Sequence, residues 1–328
     1  MGLASGLTVY LDRACCGHVS RGGYFHPETP ERIQAIEDAL AGDLELAALP
    51  RMGPASINLD DALSCHSLAF VNRLSKACQE ADQWLDSDTY AGPGSLEAAL
   101  ASAGLAAAAA DSAAAGTGIG FSFGRPPGHH ATRDRQMGFC LINNVALATQ
   151  RLLDRGVARV AIVDYDVHHG NGTQDIFYDS SRVLYISLHQ WPLYPGTGRV
   201  SERGVGEGEG LTMNLPLAAG SGDEIYRGCF TKIVLPALEA YHPEVIMVSS
   251  GFDAHLADPL ANMCVTEMGF AWMAKMLVEA SLQISAGRIA FILEGGYSGR
   301  HLGSSVAAVL KAIHHPGRSR AGSEPGAE

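Results

Sequence analysis

The sequence predicts an α/β fold with a single central parallel sheet flanked by helices, and three observations carry that expectation. Short apolar runs alternate with longer helical stretches along the chain. The runs are apolar at consecutive positions, as strands covered on both faces are. Polar residues able to do chemistry gather just beyond the C-terminal ends of four of these runs.

Taken in order, Thr8–Leu11 is the first strand, rich in β-branched and aromatic residues, and Glu31–Leu40 is the helix after it. Leu96–Ala115 is a long helix containing "LAAAAADSAAAG"; Asp111 interrupts this stretch and its Ala content makes it only weakly apolar, which suits a helix packed in protein better than a membrane span. Strand Ile119–Phe123 follows, then helix Val145–Asp154 and the strands Arg159–Asp164 and Val183–Leu188. Helix Glu224–Tyr241, strand Val245–Ser249, helix Glu267–Ser285, strand Ile289–Leu293 and helix His301–Ile313 complete the pattern. No repeat or linker divides the chain, so residues 1–315 are expected to form one domain. The polar, Gly/Pro-rich residues 316–328 are expected to be a disordered tail.

Composition narrows the function. The 328 residues, 47% hydrophobic and 18% charged, describe a soluble globular protein. A net charge of −12 with no Lys/Arg run argues against nucleic acid as partner, and no membrane or export segment is expected. Seven cysteines without a C-x-x-C point to reduced thiols and a cytoplasmic setting. Homo-oligomer formation is left open.

The chemistry lies beyond the strand ends, in "GRPPGHHA", "DYDVHHGNGTQ", "SSGFDAH" and "EGGYSG". Ligands of open α/β sheets bind at that edge. In an extended segment Asp164, Asp166 and His168 share a side. Two of them with Asp253 would form a mixed carboxylate–imidazole metal site with an open position. His129 and His130 can reach one reacting atom only if the backbone turns, and Pro126, Pro127 and Gly128 can supply the turn. Paired imidazoles suit acid–base work near neutral pH, and the Tyr297 phenol can donate to a developing oxyanion. Together these groups describe water attacking a carbonyl.

The motifs "HPETPER", "DSDTYAGPGS", "RPPGHH", "MGFCLINN", "DYDVHHGNGTQ", "SLHQWPLYPGTG", "SSGFDAH" and "LEGGY" resemble, in order and spacing, the histone deacetylase family over about residues 8–315. "HHGNGTQ" and "DTYAGPGS" are similar to its class II branch and to the bacterial deacetylase-like amidohydrolases. The resemblance implies an arginase/deacetylase-like fold and one catalytic Zn²⁺ on Asp166, His168 and Asp253. It makes His129 and His130 the tandem histidines, Asp164 and Asn171 their respective partners, and Tyr297 the residue that polarises the carbonyl. It further implies a structural K⁺ or Na⁺ at Asp164, Asp166, His168, Ser187 and Leu188. Phe139 and Tyr194 would wall an acyl-lysine tunnel, with Leu260 at its rim.

An Asp beside His129 favours its charged form whereas an amide beside His130 does not, so His130 is the better candidate for the neutral base. Tyr194 stands where the family usually has Phe. Leu260 stands where polyamine-selective relatives carry an acid. The expected substrate is therefore an acyl-lysine peptide or protein, with an acetylpolyamine or other small N-acyl amine as the alternative that Asp88 and the net acidity keep open. With no thiolate among the donors, iron(II) remains an alternative to zinc. A binuclear ureohydrolase needs more Asp and His ligands than align here. A binding module without turnover would be marked by loss of Tyr297 or of a tandem histidine, and all three are present.

Overall fold

The computed structural model describes residues 6–20 and 26–314; the tail expected to be disordered lies outside them. All six expected strands occur, as β1 (Gly6–Tyr10), β5 (Gly118–Ser122), β6 (Val160–Asp164), β7 (Val183–Gln190), β9 (Val245–Ser250) and β10 (Ile289–Leu293). Two edge strands, β2 (Arg51–Met52) and β8 (Thr212–Leu217), complete an eight-stranded parallel sheet of order β2-β1-β5-β10-β9-β6-β7-β8. A separate antiparallel pair, β3 (Gln83–Trp84) and β4 (Tyr90–Ala91), lies off the sheet.

The strand order places the chemistry. The chain builds β1 and β5 on one side and β6, β7 and β8 on the other, then returns to insert β9 and β10 between them. Because all pairs are parallel, the C-terminal ends of β5, β10, β9, β6 and β7 line up as five neighbours along one edge. Alternation along each strand feeds two cores. Ala161, Val163, Ile246, Val248 and Phe291 face one, with the helices Glu31–Ala41, Glu267–Ile284 and Gly299–His314. Val160, Ile162, Met247 and Ile292 face the other, with Leu68–Gln79, Ser95–Ala114 and Asn144–Asp154. At roughly 1.5–3 kcal/mol for each fully buried apolar side chain, these two layers supply the rigidity against which buried polar groups are held.

One expectation is corrected and two elements are added. Glu224–Tyr241 is not one regular helix: Asp223–Cys229 and Leu235–Tyr241 are joined by a turn of π-helix, Phe230–Val234. Pro236 has no N–H to donate one turn back, and a widened turn absorbs the missing bond. Helix Leu68–Gln79 was not anticipated, although Ser67 caps it by accepting from Phe70 N (3.3 Å) and Phe70, Val71, Leu74 and Cys78 form its buried stripe. Strand β8 was hidden by Pro216, which is tolerated because β8 is an edge strand. No helix of the described residues is long and apolar enough to cross a membrane.

Candidate active site

After β5 the chain must turn so that two adjacent histidines face one region, and buried groups hold that turn from both sides. Arg125 is fully buried and donates to Glu28 through Nε (2.7 Å) and Nη2 (2.6 Å) and to Cys15 O through Nη1 (2.8 Å). Asn144 Nδ2 donates to Pro126 O, and Asn143 Nδ2 to Ala131 O (both 3.1 Å). Glu294, beyond β10, accepts at Oε2 from the N–H groups of Gly128 and His129 (2.7 and 3.1 Å). Pairing of this kind is what makes buried carboxylates and guanidinium groups tolerable. The imidazole rings of His129 and His130 come to rest 4.1 Å apart, tilted by 43°.

Their partners differ in kind. His129 Nδ1 donates to Asp164 Oδ2 (3.0 Å), which also accepts from the Tyr185 hydroxyl (3.1 Å); His129 Nε2 lies 3.8 Å from Asp166 Oδ1. His130 Nδ1 donates to Asn171 Oδ1 (2.8 Å). Burial opposes charge on both rings. At His129 the Asp166 and Asp164 carboxylates outweigh burial and raise the pKa to about 10. At His130 burial is reinforced by the neighbouring His129 and His168, and its pKa falls well below the usual range. Since an amide oxygen only accepts, neutral His130 carries its proton on Nδ1 and keeps a lone pair on Nε2.

Beyond β6 and β9, one ligand atom each from Asp166, His168 and Asp253 lie within 4.8 Å of one another. His168 Nδ1 stands between Asp166 Oδ1 (3.2 Å) and Asp253 Oδ2 (3.1 Å). The carboxylates are aimed by the backbone: Asp166 accepts from Gly295 N (2.8 Å) and His168 N (2.9 Å), and Asp253 from Val167 N (2.9 Å). A Cβ at Gly251 would lie 2.1 Å from Asp166 Oδ2, and one at Gly295 would lie 2.0 Å from Asp253 Oδ2, so only glycine fits beside these groups. Burial opposes charge on His168, yet its bonds to Asp166 and Asp253 raise its pKa to about 10. Burial and the charge of Asp166 push the pKa of Asp253 up. A field that holds a proton this firmly also favours a divalent cation, and the two-oxygen, one-nitrogen donor set fits one. Among the described residues no second cluster of three such groups is this close.

A cavity of about 240 Å³ adjoins the cluster, lined by Phe139, Leu193, Tyr194 and Leu260 together with Asp88, His130, His168 and Tyr297. Of the tandem histidines, His130 lines this space, while His129 Nε2 points toward Asp166. Tyr194 is 37% exposed and meets the His130 ring edge to face at 5.2 Å. Tyr297 lies against the Arg32 guanidinium (4.9 Å) and the edge of Phe139 (5.5 Å), and its backbone N donates to Asp258 Oδ2 (2.7 Å). Burial keeps its phenol protonated well above the usual range.

Phe139 occupies a two-residue turn closed by Met137 and Cys140, which exchange backbone bonds of 3.2 and 3.0 Å. Both central residues have positive φ, 56° at Gly138 and 69° at Phe139. That conformation is costly for Phe and is held by Asp88 Oδ1, which accepts from Gly138 N, and Thr89 Oγ1, which accepts from Phe139 N (both 3.1 Å).

The residues expected at a monovalent cation also lie together. Asp164 pairs in register with Ser187, and Gln190 N donates to Val167 O (2.9 Å), so the segment carrying Asp166 and His168 runs beside Ser187 and Leu188. Glu28, Arg32, Arg125, Asn143, Asn144, Asp258 and Glu294 also shape the site without being marked by the sequence pattern. All seven stand inside the motifs quoted above or just beside them. The signal available was a charged or amide side chain embedded among Gly, Pro and apolar neighbours, where only pairing makes burial tolerable.

The sheet and its edge define an arginase/deacetylase-like fold, and the Histone deacetylase domain model matches residues 26–313: the chain belongs to the histone deacetylase family. Membership places it among deacetylases and related amidohydrolases. It is 41% identical over 327 residues to Histone deacetylase 10, chloroplastic, of Oryza sativa subsp. japonica, covering 93% of this chain and 72% of that protein. It is 40% identical over 305 residues to the Histone deacetylase-like amidohydrolase of Pseudomonas aeruginosa, covering 92% of this chain and 78% of that protein. The crystal structure of the HDA15 HD domain superposes with a TM-score of 0.90 at 37% identity, covering 95% of this chain and 88% of that one.

Proposed function

We propose that the chain is a divalent-metal amidohydrolase that removes acetyl or other acyl groups from the side-chain nitrogen of acyl-lysine. The observation that carries this reading is the convergence on one cavity of a carboxylate–imidazole cluster, a neutral His130 and a protonated Tyr297. Asp166, His168 and Asp253 would hold the ion, with zinc the expected metal and iron(II) compatible with the same donors. When bound, the ion supplies Lewis acidity to the amide carbonyl and to water. His130 Nε2 takes the proton of the attacking water and returns it to the departing nitrogen, while Asn171 keeps the other proton on Nδ1. His129, held charged by Asp164 and Asp166, adds positive potential beside the cluster. The Tyr297 hydroxyl donates to the carbonyl oxygen as it gains charge. Phe139, Leu193, Tyr194 and Leu260 offer apolar walls to the alkyl stem. A K⁺ or Na⁺ at Asp164, Asp166, His168, Ser187 and Leu188 would offset the buried carboxylate charge behind the site.

Asp88 on the cavity wall supports a second substrate class, an acetylated polyamine, whereas Leu260 favours the peptide. The test is metal analysis of the purified protein with a kinetic panel of acetyl-lysine peptides, longer acyl-lysines and acetylpolyamines. One equivalent of zinc or iron and preference for acyl-lysine is expected, with metal and turnover both lost in His168→Ala. Full metal occupancy and normal turnover in that variant would overturn the ligand assignment. His130→Ala should cost about 10²–10⁴-fold in turnover, and more than Asn171→Ala; near-normal activity would move the base role to His129.

A further inference from the structure

We propose that Met137 is a positioning residue for the acid–base histidine: its sulfur sets which way the Asn171 amide faces, and thereby which nitrogen of His130 carries the proton. The inference rests on His130 acting as the base.

An amide poses a problem that a carboxylate does not. Turned by half a rotation, Asn171 would present its NH₂ to His130 Nδ1, and the proton would have to move to Nε2. The lone pair at Nε2 would then be gone. The two orientations have nearly the same shape, so neighbouring groups decide between them. Asn171 Nδ2 donates to Met137 Sδ at 3.4 Å. A thioether can accept but cannot donate, so it favours the NH₂ side and leaves Oδ1 toward His130. The bond is weak, but it has only to bias a two-way choice.

The placement of the sulfur is not left to a flexible side chain alone. Met137 closes the turn through its paired backbone bonds with Cys140, and a Cβ at Gly138 would come within 2.4 Å of His130 Cδ2. The turn is therefore packed onto the very ring whose tautomer its first residue governs.

A double-mutant cycle separates this role from simple packing. Met137→Leu keeps an apolar side chain of similar volume and removes the acceptor. It should lower kcat about three- to tenfold, the equivalent of one modest hydrogen bond, with KM changed by less than about twofold. In an Asn171→Asp background either oxygen can accept from His130, so the same substitution should change kcat by less than about twofold. An equal loss in both backgrounds, or a loss appearing chiefly in KM, would assign Met137 to packing behind Phe139 and overturn the inference. No loss in the Asn171 background would overturn it as well. His130→Ala distinguishes the two levels. If that variant is inactive while the cycle shows no coupling, only the role of Met137 fails. If it remains active, the base assignment fails and takes this inference with it.

Discussion

Removing the hydroxyl of Tyr297 should leave the ring where it is, because Arg32 lies over its face, Phe139 meets it edge-on and Asp258 holds its backbone. Tyr297→Phe is therefore expected to lower kcat by about 10²–10³-fold, the loss typical of one oxyanion donor, with KM little changed and a metal-directed inhibitor still bound. Normal turnover with collapsed affinity would instead make Tyr297 a piece of cavity wall. Leu260 lines the same cavity, and Leu260→Glu should raise the ratio of acetylpolyamine to acetyl-lysine kcat/KM. A partly exposed ion pair is worth about 0.2–1 kcal/mol, so the shift should stay below about tenfold. An unchanged ratio would mean that position 260 does not meet the distal ammonium groups. At this scale the sequence was partly informative: types and spacing pointed to His129, His130 and Asp253 but left open which two of Asp164, Asp166 and His168 join Asp253, and only the family resemblance singled out Asp166 and His168. The sequence could not show how the two imidazoles are placed, because adjacent residues look equivalent until the backbone turn orients them.

The element that matters most is the segment between β5 and helix Asn144–Asp154, held by charges that are themselves buried. Glu28 accepts from Arg125 and, at 3.2 Å, from Arg32 Nη1, and Arg32 also donates to the backbone oxygens of Glu294 and Gly296 beside Tyr297. One carboxylate thus ties the tandem-histidine segment to the exit of β10. Glu28→Ala would leave Arg125 buried without its partner, and a loss of about 3–5 kcal/mol in urea-unfolding free energy is expected. A change under about 1 kcal/mol would show that water reaches Arg125 and that the pairing is dispensable. This network was not legible in the sequence, where Glu28 and Arg125 are 97 residues apart. The helix Leu68–Gln79 is a different case: its cap and apolar stripe are local, and the signal was there to be read.

For the whole molecule, buried titratable groups set the response to acid. Burial is the chief cause holding four histidines below the ordinary 6.5, at about 3 for His18 and His169 and about 4 for His66 and His189. Each stays neutral in the folded chain while the unfolded chain protonates, so its stabilisation is lost as pH falls from 6.5 toward 4 and 3. Glu294 and Asp258 oppose this: burial raises both to about 7, and the folded chain gains their protons before the unfolded chain does. Burial raises Asp88, Asp164 and Asp253 in the same direction. Against them, His130 joins the lowered histidines, and Glu31, Glu202 and Glu267, held low chiefly by hydrogen bonds (at Glu202 against burial), join the groups that lose stabilisation in acid. Glu28, where Arg125 outweighs burial and lowers the pKa to about 2, adds a loss below its ordinary 4.5. Unfolding free energy measured from pH 7 to 4 should therefore fall, with net proton uptake on unfolding. A flat profile would mean that these rings are solvated.

By itself the sequence determined the alternation of strands and helices, the edge at which chemistry collects and the residue types able to perform it. Those properties are local: a period, a turn-forming pair of prolines, carboxylates two residues apart. Only the tertiary structure decided that β9 and β10 insert between β5 and β6, which brings Asp253 and Tyr297 to groups more than 80 residues away in the chain. The resemblance already implied Asp164 for His129 and Asn171 for His130; the structure supplied the distances behind that difference and added Asp166 near His129. Electrostatic fields act through space, and a linear sequence does not contain the distances that set them.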